Sequence, residues 1–294
     1  MPRTFLALRS VLYVPGSNEH AMEKTKTIPS DGIIFDLEDA VAPGAKLEAR
    51  ERVCEFVKKG GFGNRQVVIR VNSLASSWGY GDLVYAARSG ATAVLIPKVE
   101  SGDMVRQTEN ILNEFDAEEM EIWCMMETPR GMLHAEEIST ASKRIRALVM
   151  GTSDLAKDLG ASHTKERLPF LTSLGLCLLS ARAADVAIVD GVQLDLADEE
   201  GFEDACLQGL ELGFDGKTLI HPKTVATANR VFAPSNDEIE MAKKIIEAHN
   251  EAVAKGEGVV VLDGRLIENL HVEGARRTLL LAHAIEEMEA NIPT

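Results

Sequence analysis

Eight short apolar runs recur along the chain, at residues 10–14, 32–37, 67–71, 93–97, 121–126, 147–150, 187–192 and 214–220. Their starts lie roughly 29 residues apart, the length of one strand–helix–strand unit. Runs such as Gly32-Ile33-Ile34-Phe35 and Ala93-Val94-Leu95-Ile96 are apolar at consecutive positions, as parallel strands buried on both faces must be. The stretches between, for example 103–115 and 203–212, place apolar residues at three- and four-residue spacing beside charges, which reads as amphipathic helix. Eight such units predict an α/β fold, a closed (β/α)8 TIM barrel over residues 1–222. An open doubly wound sheet competes with it, but the turn after the first run, Val14-Pro15-Gly16-Ser17-Asn18, has one glycine where a dinucleotide turn needs three. Residues 223–294 exceed what a barrel requires. They read as the last barrel helix, a helix over 236–254, a hairpin-like piece at 258–266 and a final helix over 272–289, together a C-terminal lid or extension that covers something.

Charge narrows the partners. The chain carries 31 Lys+Arg against 46 Asp+Glu, a net −15. No nucleic acid and no anionic membrane is expected as a partner, because both demand a basic footprint. An anionic small molecule would need a locally basic pocket. Cys54, Cys124, Cys177 and Cys206 are scattered, without paired spacing, and read as reduced thiols. The N-terminal apolar stretches are interrupted by Arg9 and too short for a signal-peptide core, and no stretch nears the ~20 apolar residues of a membrane span. A cytoplasmic protein is expected.

Two familiar motifs fail. Gly216-Lys217-Thr218 resembles the end of a phosphate-binding loop, but Glu211 stands where its first glycine belongs. Gly151-Thr152-Ser153-Asp154-Leu155 misses the final glycine of a nucleophile elbow. What remains is positional, since side chains at the C-terminal ends of barrel strands face the active-site mouth. Those ends carry Asp36-Leu37-Glu38-Asp39, Arg70-Val71-Asn72, Pro97-Lys98-Val99-Glu100, Glu127-Thr128-Pro129-Arg130-Gly131, Gly151-Thr152-Ser153-Asp154 and Ile220-His221-Pro222. Glu127 and Asp154 fall on neighbouring strand ends, and two carboxylates with other positions left to water or substrate suit Mg²⁺. Each residue also has a plain structural reading: Asp39 or Asp154 as a helix cap, Arg70 as the partner of Asp36, Lys98 as a solvated strand end.

Four segments, Arg9-Ser10-Val11-Leu12-Tyr13-Val14-Pro15-Gly16, Phe35-Asp36-Leu37-Glu38-Asp39-Ala40-Val41, Met126-Glu127-Thr128-Pro129-Arg130-Gly131 and Gly216-Lys217-Thr218-Leu219-Ile220-His221-Pro222, resemble the citrate lyase β-subunit family of the HpcH/HpaI aldolase superfamily, which contains the malyl-CoA lyases. The resemblance runs colinearly through essentially the whole chain. It implies a TIM barrel that binds Mg²⁺, with Mn²⁺ as the substitute, and a CoA thioester of a hydroxy-dicarboxylic acid as substrate. By the family pattern Glu127 and Asp154 are metal ligands, Glu38 and Asp39 support waters on the metal, and Arg70 binds the oxygen that gains charge. Backbone amides around Gly131, Thr152 and Ser153 hold the free carboxylate, and Tyr13, Pro15, Lys24 and Lys26 lie where CoA is received. The resemblance also implies a homotrimer or homohexamer in which the C-terminal extension reaches a neighbouring subunit.

One departure bears on the chemistry. Where the family's lyases carry an aspartate in the C-terminal segment, Asp263-Gly264-Arg265-Leu266-Ile267-Glu268-Asn269-Leu270-His271 offers Glu268. A carboxylate displaced by one methylene can cost ~10²-fold in a reaction that needs ångström positioning. The leading expectation is Mg²⁺-dependent cleavage of a malyl-CoA-type thioester to acetyl-CoA or propionyl-CoA and a 2-oxoacid such as glyoxylate. Nearly level with it stands the family's (3S)-malyl-CoA thioesterase branch, which the Ile-Glu-Asn-Leu-His segment resembles and which releases malate and CoA. A citrate lyase β-type subunit working with an acyl-carrier partner is the third reading, and a metal-dependent aldolase acting on CoA-free hydroxy-oxo acids the fourth.

Overall fold

A computed structural model describes residues 6–255, 260–262 and 264–292 of the chain. The eight runs form strands β1 (Ser10–Pro15), β2 (Gly32–Asp36), β3 (Gln66–Arg70), β4 (Ala93–Ile96), β5 (Glu121–Met126), β6 (Ile145–Met150), β7 (Ala187–Asp190) and β8 (Gly216–Leu219). They close in sequence order into an all-parallel barrel, β8 pairing back onto β1. Between them run helices α1 (Glu19–Lys24), α2 (Lys46–Lys59), α3 (Gly79–Ala87), α4 (Gly102–Glu114), α5 (Pro129–Leu133), α6 (Ala135–Ser139), α7 (Thr152–Leu159), α8 (Leu171–Ala183) and α9 (Glu199–Leu212). The expected TIM barrel is therefore the observed fold.

The consecutive apolar residues that marked the strands are buried on both faces: Ile33, Ile34 and Phe35 of β2 and Val94 and Leu95 of β4 have no exposed surface. Helix residues at three- and four-residue spacing, such as Ala49, Val53 and Phe56 of α2, close over the barrel's outside. Strand register also places charged groups. Pairing of β2 with β3 sets Asp36 beside Arg70, and pairing of β7 with β8 sets Asp190 beside Lys217. All four cysteines are free and buried. Among the described residues no helix is long and apolar enough to cross a membrane.

Contacts divide the chain into two compact units. The barrel unit runs to Phe232, because α10 (Val225–Phe232) packs against β1, β8 and α9. The second unit pairs α11 (Asn236–Lys255) with α12 (Asn269–Glu289) and carries a small antiparallel hairpin, β9 (Val260–Leu262) with β10 (Arg265–Ile267). Its own apolar cluster joins Ala7, Ile285 and Met288. The expected hairpin-like piece is thus strand from Val260 onward, while 256–259 and 263 lie outside the described residues.

Candidate active site at the barrel mouth

At the C-terminal end of the strands a cavity of about 380 Å³ is lined by Tyr13, Pro15, Asp36, Asp39, Arg70, Met125, Glu127, Gly151, Thr152, Ser153 and Asp154, among others. The fold brings these together because each lies near the C-terminal end of a strand, where side chains leave the packed barrel interior.

Arg70 ends β3 and is only 8% exposed. Its guanidinium forms a two-pronged ion pair with Asp36, Nε to Oδ1 at 2.7 Å and Nη2 to Oδ2 at 2.5 Å, so the plain pairing read from the sequence does exist. Asp36 also accepts the backbone amides of Glu38 and Ala40, which pins the loop after β2. The third nitrogen of Arg70 lies 3.0 Å from Glu38 Oε2, and its ring-facing side stacks on Tyr13, 5.1 Å from the ring centroid. Held this way, Arg70 keeps one geometry inside the mouth.

Glu127 follows β5 and is 2% exposed. Its Oε1 accepts the Lys98 amide at 2.8 Å. The other oxygen occupies space that exists because residue 151 is glycine: a Cβ there would stand 2.5 Å from both Glu127 Cβ and Oε2. Burial pushes the Glu127 carboxyl up to about 7, against the opposing pull of Lys98. Asp154 sits in the first turn of α7. Burial alone would raise its pKa, but the Lys98 and Lys157 ammonium groups outweigh that and hold the carboxyl below its usual range.

Lys98 is not a solvated strand end. Its backbone is in the left-handed region, φ 49°, which a lysine adopts only at a cost of order 1 kcal/mol. From there the ammonium reaches Glu38 Oε1 at 2.6 Å and Asp154 Oδ2 at 3.3 Å, with Asp39 at 3.8 Å. One residue therefore ties the loops after β2, β4 and β5 and the start of α7 into a single cluster. Nothing in the sequence except its place at a strand end pointed to this role.

Lys24 and Lys26, read from the sequence as lying where CoA is received, do not line this cavity. Helix α1 starts there, but six residues at about 1.5 Å rise carry the chain back toward the strands' N-terminal ends. Lys24 is exposed, and Lys26 lies over the Phe56 ring, while its carbonyl accepts Arg65 just ahead of β3. Gly131 does not line the cavity either. Its amide is spent on Thr128 Oγ1 at 3.0 Å, capping α5, and a Cβ would stand 2.4 Å from the Val99 carbonyl. Glu268 belongs to the C-terminal unit, where it is exposed at the N-cap of α12 and its amide donates to His271 Nδ1.

A second charged cluster lies between β7 and β8. Asp190, fully buried, pairs with Lys217 at 2.8 Å and with Arg167 at 2.6 Å. Lys217 thus serves a structural ion pair, which explains the near-miss to a phosphate loop.

The mouth gathers five carboxylates, Asp36, Glu38, Asp39, Glu127 and Asp154, around Arg70 and Lys98. Among the described residues no three His, Cys, Asp or Glu side chains converge as a preformed metal cage. Two hard oxygen donors on one cavity, with a surplus of negative charge and open positions around them, fit a divalent cation that keeps waters.

Comparison with known proteins agrees with this architecture. The sequence model described as HpcH/HpaI aldolase/citrate lyase matches residues 9–222. The chain is 46% identical over 283 residues to a (3S)-malyl-CoA thioesterase of Cereibacter sphaeroides, covering 96% of this chain and 97% of that protein. It is 35% identical to the citrate lyase subunit beta of Haemophilus influenzae, covering 92% and 95% of the two chains. Among solved structures, a citrate lyase beta subunit from M. tuberculosis complexed with oxaloacetate and magnesium superposes with a TM-score of 0.67 at 26% identity, over 78% of this chain and 98% of that one.

Proposed function

The chain belongs to the HpcH/HpaI aldolase/citrate lyase family, and from that premise we propose that it hydrolyses the thioester of a (3S)-malyl-CoA-type substrate, releasing malate and CoA, with Mg²⁺ held at the barrel mouth. The observation that carries this reading is the 46% likeness to (3S)-malyl-CoA thioesterases over 96% of the chain. Resemblance to the family at large puts carbon–carbon cleavage first; this likeness reverses the order.

Glu127 and Asp154 are the residues that would hold Mg²⁺, and the magnesium in the citrate lyase beta subunit relative supports that assignment. Such an ion supplies Lewis-acid polarisation of a bound oxygen and offsets the mouth's negative surplus. The remaining work falls to the chain's own groups. Arg70, fixed by Asp36, neutralises negative charge that develops on the substrate. Glu38 and Asp39 orient water, and Lys98 holds Glu38 and Asp154 in place. Thr152 and Ser153, the first residues of α7, line the cavity at a helix N-terminus, whose amides suit the substrate's free carboxylate. Pro15 and Tyr13 form the wall toward β1. We assign activation of the attacking water to Glu268, supplied by a neighbouring subunit in a homotrimer or homohexamer.

Carbon–carbon cleavage to acetyl-CoA and glyoxylate is the second reading, favoured by the 35% likeness to a citrate lyase beta subunit. Incubation with malyl-CoA and Mg²⁺ separates the two. Malate with stoichiometric free thiol supports hydrolysis; glyoxylate with acetyl-CoA overturns it.

A further inference from the structure

The Tyr13 hydroxyl is a hydrogen-bond donor in the mouth that the roles assigned above do not use. Tyr13 lies on β1 and lines the same cavity as Arg70, Glu127 and Asp154. Its ring is located by the Arg70 guanidinium stacked 5.1 Å from the centroid. Its hydroxyl meets the Met125 thioether sulfur at 3.3 Å. A thioether is a weak acceptor, so this contact leaves the phenol's donor capacity almost unspent.

Four of the nearby carboxylate oxygens are engaged elsewhere. Both oxygens of Asp36 take Arg70 and backbone amides. Oε1 of Glu127 takes the Lys98 amide, and Oε1 of Glu38 takes the Lys98 ammonium. Burial holds the phenol's pKa above the ordinary tyrosine range, so its proton stays in place at neutral pH. A half-buried hydroxyl beside a bound guanidinium, offered only sulfur, matches an oxygen that arrives with the substrate.

We propose that Tyr13 is a catalytic hydrogen-bond donor to the thioester carbonyl oxygen, acting beside Arg70 as that oxygen gains negative charge. The inference rests on the hydrolytic reading and specifies its oxyanion site. In that step the water oxygen bonds to the thioester carbon, the base takes a water proton, and the carbonyl electron pair moves onto oxygen. Tyr13 donates to that oxygen without losing its proton. When the carbonyl re-forms, the carbon–sulfur bond breaks with its electron pair on sulfur, and the CoA thiolate takes the proton from the base. Thioester and water have become acid and thiol.

The test compares wild type with Tyr13→Phe, which keeps the ring over Arg70 and removes only the hydroxyl. Free thiol and acetyl-CoA are measured together during turnover of malyl-CoA with Mg²⁺, alongside thermal unfolding. The expected result is a fall in kcat of about 10²-fold, the usual loss for one oxyanion donor, with KM within about twofold and an unchanged melting temperature. A kcat within about threefold of wild type overturns the proposal, as does a loss that tracks a lowered melting temperature. Should wild type give acetyl-CoA and glyoxylate, the hydrolytic reading falls by itself. The same kcat comparison then decides Tyr13 on that reaction, because the thioester oxygen becomes the enolate oxygen. A wild type that turns over neither way overturns both.

Discussion

Replacing Gly151 by alanine tests how tightly the mouth is built. Gly151 has φ −107°, a value open to alanine, so backbone strain does not enter. The new methyl would stand 2.5 Å from Glu127 Cβ and Oε2 and 3.0 Å from Met125 Cε. Carbon contacts are comfortable at about 3.5–4.0 Å, so Glu127 must give way by roughly 1 Å or more. Glu127 is held by the Lys98 amide on Oε1, and the backbone of residue 151 is held by its own amide, bonded to the Met126 carbonyl at 2.8 Å. Overpacking of this kind costs about 1–3 kcal/mol of stability. A displaced catalytic carboxylate costs about 10²-fold in turnover. Titration calorimetry with Mg²⁺ and steady-state kinetics with malyl-CoA read the two consequences separately: metal affinity at least tenfold weaker, kcat about 10²-fold lower. If Gly151→Ala binds Mg²⁺ and turns over within twofold of wild type, Glu127 is not the metal ligand.

Three further outcomes are expected. Glu127→Ala should abolish the Mg²⁺ dependence of activity, as should chelation of wild type; a variant that still responds to Mg²⁺ places the metal elsewhere. Lys98→Met strips Glu38 of its 2.6 Å partner, and should lower stability by about 1–2 kcal/mol in chemical denaturation while reducing kcat; an unchanged midpoint would mean the clamp is idle. Asp190→Asn leaves the buried Lys217 and the half-buried Arg167 without their counter-charge, a loss of about 3–5 kcal/mol. Although burial alone would raise the Asp190 pKa, Lys217 and Arg167 hold it below its usual value. Its stabilisation is therefore present above the unfolded value of about 3.9 and lost as pH falls through the lower folded value. The variant should show a shallower acid limb than wild type, and an identical limb would remove Asp190 from the pH response.

The barrel was legible because burial on both faces writes a parallel strand as an unbroken apolar run, and such runs as 32–37 and 93–97 repeat at a fixed interval. Polar residues closing those runs marked the mouth for the same reason, and Tyr13, Arg70, Glu127 and Asp154 do line one cavity. Direction along a short helix was harder to see. Lys24 and Lys26 stand close in sequence to the end of β1 but a helix away in space. Lys98 was invisible as a clamp because its reach depends on a left-handed backbone that lysine rarely adopts. The void that Gly151 leaves for Glu127 is a property of two strands side by side, and no single segment encodes it. Likewise Asp190 gains meaning only when β7 meets β8.

Turnover of malyl-CoA with Mg²⁺ in ¹⁸O-labelled water is the most direct test of thioester hydrolysis at this mouth. Malate carrying one ¹⁸O in the carboxylate that had been the thioester, with an equivalent of free CoA and no glyoxylate, is the predicted result. Accumulation of glyoxylate and acetyl-CoA, with no labelled malate, would contradict it.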